Sequence, residues 1–228
     1  MARVLGNNIN NRIVDLLQQL VDKATQSEEY AKAMYGLGEE FGNIIYGQIL
    51  HADKNIVLAS TVEDADFLGR GIIDTLERLG QKVYLTVFWN KRFTPNEENA
   101  LTIAPIIKEF HEEEYADVQT IIVIKSIISS SCVVRTNLTK LIDDADPDNI
   151  LIVAPVLFKG ATANLEKEFE DEISKKFNYL FFAEDDQKSD DGNVYPGIGG
   201  DVYQRLGFES QTAKNAYVPE IVKERRYK

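Results

Sequence analysis

The sequence predicts an α/β protein in which a central parallel sheet is flanked by helices. Short apolar runs of strand length alternate with stretches whose apolar residues recur at helical spacing, and this alternation continues from about residue 55 to residue 183. No apolar run approaches the roughly 20 residues that span a bilayer. Strands that alternate with helices in this way form parallel sheets, because right-handed crossovers place helices on both faces.

The predicted elements begin with an N-terminal helical layer over residues 1–50, which contains helices at Ile13–Val21 and Ser27–Leu50. The strands that follow are predicted at Asn55–Ser60, Lys82–Trp89, Thr120–Ile124, Asn149–Val153 and Tyr179–Ala183. The helices between them are predicted at Phe67–Leu79, Ala100–Phe110, Cys132–Ile142 and around Leu165–Lys175. A chain of 228 residues suits one substantial α/β domain, so we interpret residues 1–228 as a single domain.

Composition excludes several classes of partner and compartment. Asp and Glu outnumber Lys and Arg by 37 to 25, and the net charge of −12 repels a nucleic-acid backbone. We therefore expect no nucleic-acid partner and, from the short apolar runs, no membrane partner. Cys132 is the only cysteine, which precludes an intrachain disulfide and agrees with a reducing compartment. The N-terminus has no apolar signal region, so we expect the cytoplasm.

Ligands of parallel α/β sheets bind beyond the carboxyl ends of the strands. Candidate site residues therefore belong to the segments that follow the predicted strands. These are Ser60–Asp66, Asn90–Asn99, Lys125–Ser131, Pro155–Gly160 and the tail after Ala183.

The tail carries the most specific pattern in the chain. It contains an Ala-x-Asp segment at Ala183, then Gly192, and then a turn that leads to Arg205 and Gly207. The turn consists of Val194, Tyr195, Pro196, Gly197, Ile198, Gly199, Gly200 and Asp201. This order resembles the uracil phosphoribosyltransferases, whose tail runs Ala-x-Asp, Gly and Pro-Gly-Leu-Gly-Asp. Here Gly200 takes the place of the family's last Asp, which is displaced by one residue.

The resemblance covers most of the chain from about residue 58. It implies the type I phosphoribosyltransferase fold, with residues 184–207 as a hood over the carboxyl edge of the sheet. In that family the hood recognises uracil mainly through main-chain atoms, which Gly and Pro allow to approach the base. The resemblance also implies a homodimer, a pyrimidine base or nucleotide as ligand, and a place in pyrimidine salvage.

The segment that resembles the family's phosphate-binding loop has lost much of its chemistry. In the family an acid after the strand holds ribose, and glycines let the backbone close around the 5-phosphate. Lys125 replaces the acid in this chain, and the loop continues through Ser126, Ser129, Ser130, Ser131 and Cys132, the last two in place of glycines. The serines either cradle an anion or simply cap the helix that begins at Cys132.

The two remaining phosphate-binding segments differ from the family to unequal degrees. The pyrophosphate loop has Glu63, Asp64 and Asp66 where the family has an Arg and a tight backbone, so we expect it to repel pyrophosphate. No cofactor is certain, but a magnesium ion on these carboxylates is an alternative, because hard oxygen ligands suit it. The family's flexible arm corresponds to a segment that retains basic character at Lys91 and Arg92.

Two functional hypotheses follow from the resemblance. The first is a catalytically degenerate descendant that retains a pyrimidine-binding, nucleotide-binding or protein-interaction role. Three losses support it: Lys125 in place of the ribose-binding acid, Ser131 and Cys132 in place of the glycines, and acids at Glu63–Asp66. The alternative is an active phosphoribosyltransferase that makes a nucleoside monophosphate from a base and phosphoribosyl pyrophosphate. A third interpretation is an α/β binding protein with no ancestry in this family.

The homodimer is testable in solution. The segment Ile13–Leu50 is richer in large apolar residues than a single helix requires, and we expect it to contribute to a dimer interface. Light scattering at micromolar concentration should give twice the mass of 25.8 kDa. A strictly monomeric mass would contradict this expectation.

Overall fold

The computed structural model describes residues 3–48, 55–93, 103–112, 118–130, 132–190 and 192–226. Within these residues the strands are β1 (Val4–Leu5), β2 (Ile56–Thr61), β3 (Val83–Asn90), β4 (Ile106–His111), β5 (Thr120–Ile124), β6 (Ile127–Ile128), β7 (Asn149–Phe158), β8 (Phe177–Asp185), β9 (Gln187–Lys188) and β10 (Val194–Tyr195). The main sheet has the order β1-β8-β7-β5-β2-β3-β4, with β6 paired to β7. Strands β8, β7, β5, β2 and β3 are parallel, and the edge strands β1 and β4 are antiparallel.

Helices cover both faces of this sheet. They are α1 (Asn11–Val21), α2 (Ser27–Gln48), α3 (Val62–Asp64), α4 (Arg70–Arg78), α5 (Cys132–Asp144), α6 (Ala161–Glu166), α7 (Asp171–Ser174), α8 (Val202–Arg205), α9 (Gln211–Ala216) and α10 (Glu220–Arg225). A π-helical turn at Ala65–Gly69 joins α3 to α4. The predicted α/β class, with its central parallel sheet and flanking helices, is confirmed. No helix among the described residues is both long and apolar enough to cross a membrane.

The core lies on both faces of the sheet, as expected for parallel strands between helical layers. All residues of β2 and β5 are buried, which agrees with their nearly continuous apolar sequences. On one face, Phe41 of α2 stacks on Phe182 of β8 with ring centroids 3.8 Å apart. On the other face, Leu138 of α5 packs into a second apolar cluster with Ile121 of β5. The sheet is thus fixed from both sides.

The predicted helix at Ala100–Phe110 is wrong. Residues 100–102 lie outside the described residues, and β4 occupies Ile106–His111 as an antiparallel partner of β3. Pro105 immediately precedes β4, which agrees with the preference of proline for the beginning of a strand. Half of the β4 residues are exposed. An exposed strand need not alternate apolar and polar residues, so its sequence lacks the period that distinguishes a strand from a helix.

Other boundaries also differ from prediction. No loop follows β2, because α3 begins at Val62 directly after the strand and continues through the π-helical turn. Strand β7 runs through Pro155 to Phe158, where a loop was predicted. The helix predicted around Leu165–Lys175 consists of the two short helices α6 and α7.

Helices α2 and α4 pack closely because glycines remove side chains from their contact. A Cβ atom at Gly38 of α2 would lie 2.4 Å from the carbonyl oxygen of Leu68 and 3.0 Å from the Cα of Gly71. A Cβ atom at Gly71 of α4 would lie 2.2 Å from the carbonyl oxygen of Tyr35. This contact fixes the helical layer against the helix that follows β2, and therefore also fixes Glu63 and Asp64.

This contact predicts a large cost for a small substitution. Gly38→Ala should lower the free energy of unfolding by about 1–3 kcal/mol, because backbone atoms must move to accept the methyl group. The matched control is Gly47→Ala in the same helix, where a Cβ meets nothing within 4 Å and alanine favours the helix by about 0.5–1 kcal/mol. Urea unfolding followed by the fluorescence of Trp89, the only tryptophan, measures both variants. Equal stability of the two variants would contradict the prediction.

Candidate functional site

A cleft of about 110 Å³ lies at the carboxyl edge of the sheet, between the ends of β2, β3 and β5 and the segment after β9. Its lining residues are Glu63, Asn90, Arg92, Lys125, Ile127, Ser129, Val133, Asn193, Val194, Ile198, Gly200, Asp201, Val202, Tyr203, Gln211 and Lys214. The hood predicted at residues 184–207 therefore lies over the carboxyl edge. The floor of the cleft is polar, and much of its wall is aliphatic.

The cleft brings together only part of the predicted site. The predicted residues in its lining are Glu63, Arg92, Lys125, Ser129, Val194, Ile198, Gly200 and Asp201. The predicted residues outside the lining are Asp64, Asp66, Lys91, Ser126, Ser130, Cys132, Tyr195, Pro196, Gly197 and Gly199. Ser131 lies outside the described residues. The sequence thus predicted residues at the edge of the sheet where this cleft lies, but more than half of those that the structure describes are outside its lining.

Lys125 is bonded to the acidic residues that follow β2. Its Nζ donates to Oδ2 of Asp64 at 2.6 Å, to Oε1 of Glu63 at 3.1 Å and to Oγ1 of Thr61 at 3.2 Å. An ammonium group has three N–H donors, so these contacts use all of them. The hydroxyl of Thr61 in turn donates to Asp64 at 2.8 Å. Lys125 therefore balances one of the two acids and has no donor left for a ligand.

Glu63 lies between two lysines at the floor of the cleft. Its side chain is about nine-tenths buried, and the Nζ of Lys214 lies 3.4 Å from its Oε2. Burial alone would raise the pKa of Glu63, but the ammonium groups of Lys125 and Lys214 outweigh it and lower the pKa to about 2. Burial likewise opposes the charge of Lys125, yet Asp64 and Glu63 outweigh it and raise the pKa of Lys125. Glu63 and Lys125 are therefore both charged near neutral pH.

Asp66 points away from the cleft. It accepts backbone N–H bonds from Glu220 and Ile221, both at 2.8 Å, and a hydroxyl bond from Tyr217. Asp66 thereby satisfies N–H groups at the start of α10, as a capping carboxylate does. The three acids proposed for magnesium do not converge, and no group of three potential metal ligands occurs among the described residues.

The segment after β5 keeps the strand-to-helix shape expected of a phosphate loop. Ser126 is buried, and its backbone N–H donates to Asp64 at 3.4 Å. Ser129 lines the cleft, Ser130 is exposed, and α5 begins at Cys132 as predicted. Burial raises the pKa of the Cys132 thiol, so the protonated form is favoured.

The hood is held by an aspartate that the sequence pattern contained. Asp185, at the end of β8, is 1% exposed and accepts the backbone N–H of Gly197 at 2.9 Å. Its two oxygens also accept from Arg3 at 3.0 and 2.8 Å, and Arg3 donates to the Gly197 carbonyl as well. The Ala-x-Asp segment thus fixes the hood turn through its backbone and ties it to the N-terminal strand.

The helical layer holds the hood from the other side. The hydroxyl of Tyr30 in α2 donates to the Ile198 carbonyl at 2.9 Å, and Arg205 donates to the carbonyl of Asp22 at 2.7 Å. A Cβ atom at Gly199 would lie 2.2 Å from the Leu20 carbonyl oxygen, so only glycine fits against α1. The hood glycine that lines the cleft is Gly200, with a φ of 116°.

The arm after β3 contributes one cation to the cleft. Arg92 lines it and is exposed, with no hydrogen bond or ion pair to any described residue. Lys91 is exposed and lies outside the lining. The sequence therefore indicated the basic character of this arm, and the structure brings Arg92 to the cleft.

Half of the lining residues were not named as site residues from the sequence, although all of them except Val133 lie in the candidate segments. They are Asn90, Ile127, Val133, Asn193, Val202, Tyr203, Gln211 and Lys214. Lys214 is 6% exposed although it lies in α9, beyond the predicted hood. Its position follows from the anchoring of the C-terminal segment on Asp66 and on Trp89, whose Nε1 donates to the Tyr217 carbonyl at 2.9 Å. The available signal was the unpaired negative charge at Glu63 and Asp64, because two buried carboxylates require two cations.

Comparison with solved structures agrees with this architecture. The AQ2163 protein from Aquifex aeolicus superposes with a TM-score of 0.70 at 15% sequence identity, over 91% of this chain and 99% of its own. The adenine phosphoribosyl transferase from Trypanosoma brucei, in complex with AMP, pyrophosphate and ribose-5-phosphate, superposes with a TM-score of 0.50 at 10% identity, over 85% of this chain and 91% of its own. No protein-family model and no curated protein sequence matches the chain.

At these identities the likeness establishes the fold. The chain is similar to type I phosphoribosyltransferases in its mostly parallel sheet and flanking helices, as the resemblance implied. Nothing in the superposition distinguishes a uracil enzyme from other members of this fold.

The charge cluster predicts a defined dependence of stability on pH. The pKa of Glu63 is about 2 in the folded protein and near 4.5 in the unfolded chain. The charge of Glu63 therefore contributes fully to the free energy of unfolding above pH 5, and this contribution disappears as the pH falls through 2. Glu63→Gln should therefore cost on the order of 3 kcal/mol at pH 7, and progressively less below pH 4.5. Urea unfolding of both proteins at several pH values, followed by Trp89 fluorescence, measures the difference.

The control for this series is Glu28→Gln. Glu28 forms an exposed pair with Lys32 one turn away, and such pairs contribute little. Its replacement should leave the urea midpoint nearly unchanged at every pH. A stability difference for Glu63→Gln that stays constant from pH 7 to pH 2 would contradict the assignment of charge to Glu63.

Proposed function

We propose that this chain is a phosphoribosyltransferase-like protein that binds a pyrimidine-type base, or a nucleotide carrying one, and does not transfer phosphoribose. One observation carries the proposal. Lys125, which stands where the family has its ribose-binding acid, is bonded to Glu63 and Asp64, which stand where the family binds pyrophosphate. The side chains at the two positions that would bind phosphoribosyl pyrophosphate are thus paired with each other.

The energetics of this cluster oppose phosphoribosyl transfer. The reaction depends on groups that stabilise pyrophosphate as it leaves, since little acid–base chemistry is needed. Freeing Lys125 for an anion would leave Glu63 and Asp64 without their shared cation. Breaking a buried ion pair costs about 3–5 kcal/mol. Phosphoribosyl pyrophosphate would have to supply that energy before any catalytic interaction forms.

Size and charge of the cleft support a small neutral ligand. The cleft measures about 110 Å³, whereas small-molecule sites usually measure roughly 300–1,000 Å³. The charged groups of its lining are the cations Arg92, Lys125 and Lys214 and the carboxylates Glu63 and Asp201, and Asp64, outside the lining, pairs with Lys125. Three cations and three carboxylates leave the site formally neutral, inside a chain of net charge −12. Such a site favours a polar neutral ring over a polyanion.

The hood supports the pyrimidine class. Its turn has the uracil-family pattern, and Val194, Ile198 and Gly200 line the cleft. Asp185 and Tyr30 fix the backbone of this turn, and a fixed backbone can present N–H and C=O groups to the edge of a base. The homodimer implied by the resemblance belongs to the same proposal.

An active nucleobase phosphoribosyltransferase is the second candidate. Arg92 favours it, because this cation lines the cleft with no ion pair among the described residues. The Trypanosoma brucei enzyme, which shares the fold, was observed with AMP, pyrophosphate and ribose-5-phosphate. The pairing of Lys125 is the stronger argument, since it removes both a ribose ligand and an open pyrophosphate loop.

The purified protein should not form uridine monophosphate from uracil and phosphoribosyl pyrophosphate above background. Each lost interaction at a charge-stabilising site costs roughly 10²–10³ in rate, although losses within one site do not multiply. A radiolabelled-uracil assay with magnesium measures the rate. Uracil should nevertheless raise the unfolding midpoint, since ligand at 100 times Kd adds about 2.7 kcal/mol.

Separate binding and turnover measurements distinguish the two candidates. Phosphoribosyl pyrophosphate with magnesium should leave the unfolding midpoint unchanged at concentrations where uracil raises it. Turnover near about 1 per second, within the ordinary range for enzymes, would establish the active enzyme instead. A protein that responds to neither uracil nor uridine monophosphate would refute the binding proposal.

A further inference from the structure

Lys214 differs from Lys125 in how its hydrogen-bonding capacity is used. Its Nζ lies 3.4 Å from Oε2 of Glu63 and 3.5 Å from the carbonyl oxygen of Asn90. Both distances exceed the 2.7–3.2 Å of ordinary N–H···O bonds. The third N–H has no acceptor among the described residues. Lys214 is therefore a buried ammonium in the cleft lining with incomplete hydrogen bonding.

Glu63 supports the same conclusion from the acceptor side. Its Oε2 is buried and has no hydrogen-bond partner among the described residues, although the charge of Lys214 is near. A buried charged group is costly unless it is paired and hydrogen-bonded. The contacts of Lys214 within the protein are long and do not satisfy its donors, so an additional acceptor in the cleft would complete its hydrogen bonding.

The position of Lys214 is fixed by the segment that follows it. Helix α10 is capped by Asp66, and Arg225 of the same helix donates to the Val83 carbonyl at 3.0 Å and to Glu112 at 2.9 Å. Arg225 also pairs with Glu77 of α4. These contacts attach the C-terminal segment to two elements of the core. Lys214 lies in α9, shortly before this anchored segment.

The surroundings of Lys214 define the kind of acceptor that it would bind. The cleft is formally neutral, and its walls include the aliphatic residues Ile127, Val133, Val194, Ile198 and Val202. A flat ring can pack between such walls with a polar edge turned to the floor. An additional anion at the floor would meet Glu63 and Asp64, whose charges are already balanced by the two lysines.

We infer that Lys214 is the specificity-determining residue of the cleft and donates a hydrogen bond to a ring carbonyl of a small neutral heterocycle. This inference rests on the proposed function and names the side chain that selects the ligand, which lies outside the hood pattern. Because Lys214 is desolvated, a ring without the matching carbonyl would leave its N–H unpaired. Discrimination between rings should therefore depend on this carbonyl.

The first experiment varies the protein. Isothermal titration calorimetry with uracil should show affinity about 10- to 100-fold weaker for Lys214→Met than for the unaltered protein, as expected for a hydrogen bond to a charged donor. The matched control is Lys223→Met, which removes the same charge from an exposed position in α10 paired only with Glu220. The control should bind uracil with unchanged affinity. Trp89 fluorescence during urea unfolding verifies that each variant is folded.

The second experiment varies the ligand, and its first comparison uses only the unaltered protein. Pyrimidin-2-one and pyrimidin-4-one each lack one carbonyl of uracil, and one of them should bind the unaltered protein at least about 10-fold more weakly than the other. In Lys214→Met the ratio of the two affinities should fall toward one, as a double-mutant cycle requires for directly interacting groups. A purely structural role of Lys214 would weaken both ligands equally and leave the ratio unchanged.

The outcomes separate this inference from the proposed function. If uracil binds and Lys214→Met has no effect, or the affinity ratio stays the same, the role of Lys214 is refuted while the binding proposal stands. If inorganic phosphate binds in a Lys214-dependent manner and displaces uracil, the cleft is an anion site and the neutral-ligand inference is wrong. If neither uracil nor the pyrimidinones bind the unaltered protein, the proposed function itself fails.

Discussion

The buried pairing of Lys125 with Glu63 and Asp64 is the interaction on which the rest of the site depends. Strands β2 and β5 are parallel neighbours, so the residues that follow their carboxyl ends meet at one edge of the sheet. One ammonium balances one of the two acids, and the remaining charge must be neutralised because it is desolvated. Lys214 supplies that second cation. Charge balance thereby requires the C-terminal segment to complete a site that the central strands begin.

Both ends of the chain are consequently part of the site. The N-terminal layer holds the hood through Arg3 and Tyr30, which bond to the hood carbonyls or to the aspartate beneath them. The C-terminal helix α10 is capped by Asp66. Lys214 lies in the preceding helix, α9, and lines the cleft. Segments far apart in sequence thus determine one small volume. A site of this construction responds to changes in the N-terminal layer and the tail as well as to changes in its lining.

The sequence predicted the parallel core of the sheet well, because buried strands such as β5 are short apolar runs without ambiguity. It failed at β4, where an exposed edge strand has no buried period and the preceding residues suggested a helix. It located the carboxyl-edge segments from the ends of the predicted strands, but it treated Glu63, Asp64 and Asp66 as one acidic surface. The side chains of these acids point in different directions, because the helical segment that begins at Val62 turns Asp66 toward α10. No local pattern indicated Lys214, because its contact with Glu63 spans most of the chain.

The predicted departures from the family's phosphate-binding pattern are therefore coupled. Considered along the sequence, Lys125 and the acids Glu63 and Asp64 are independent features. In the structure each compensates the other, since Lys125 is tolerated inside the protein only beside Glu63 and Asp64. An acid in place of Lys125 alone would put three carboxylates together at the floor of the cleft, with Lys214 as the nearest ammonium. Like charges in close contact repel strongly at low dielectric.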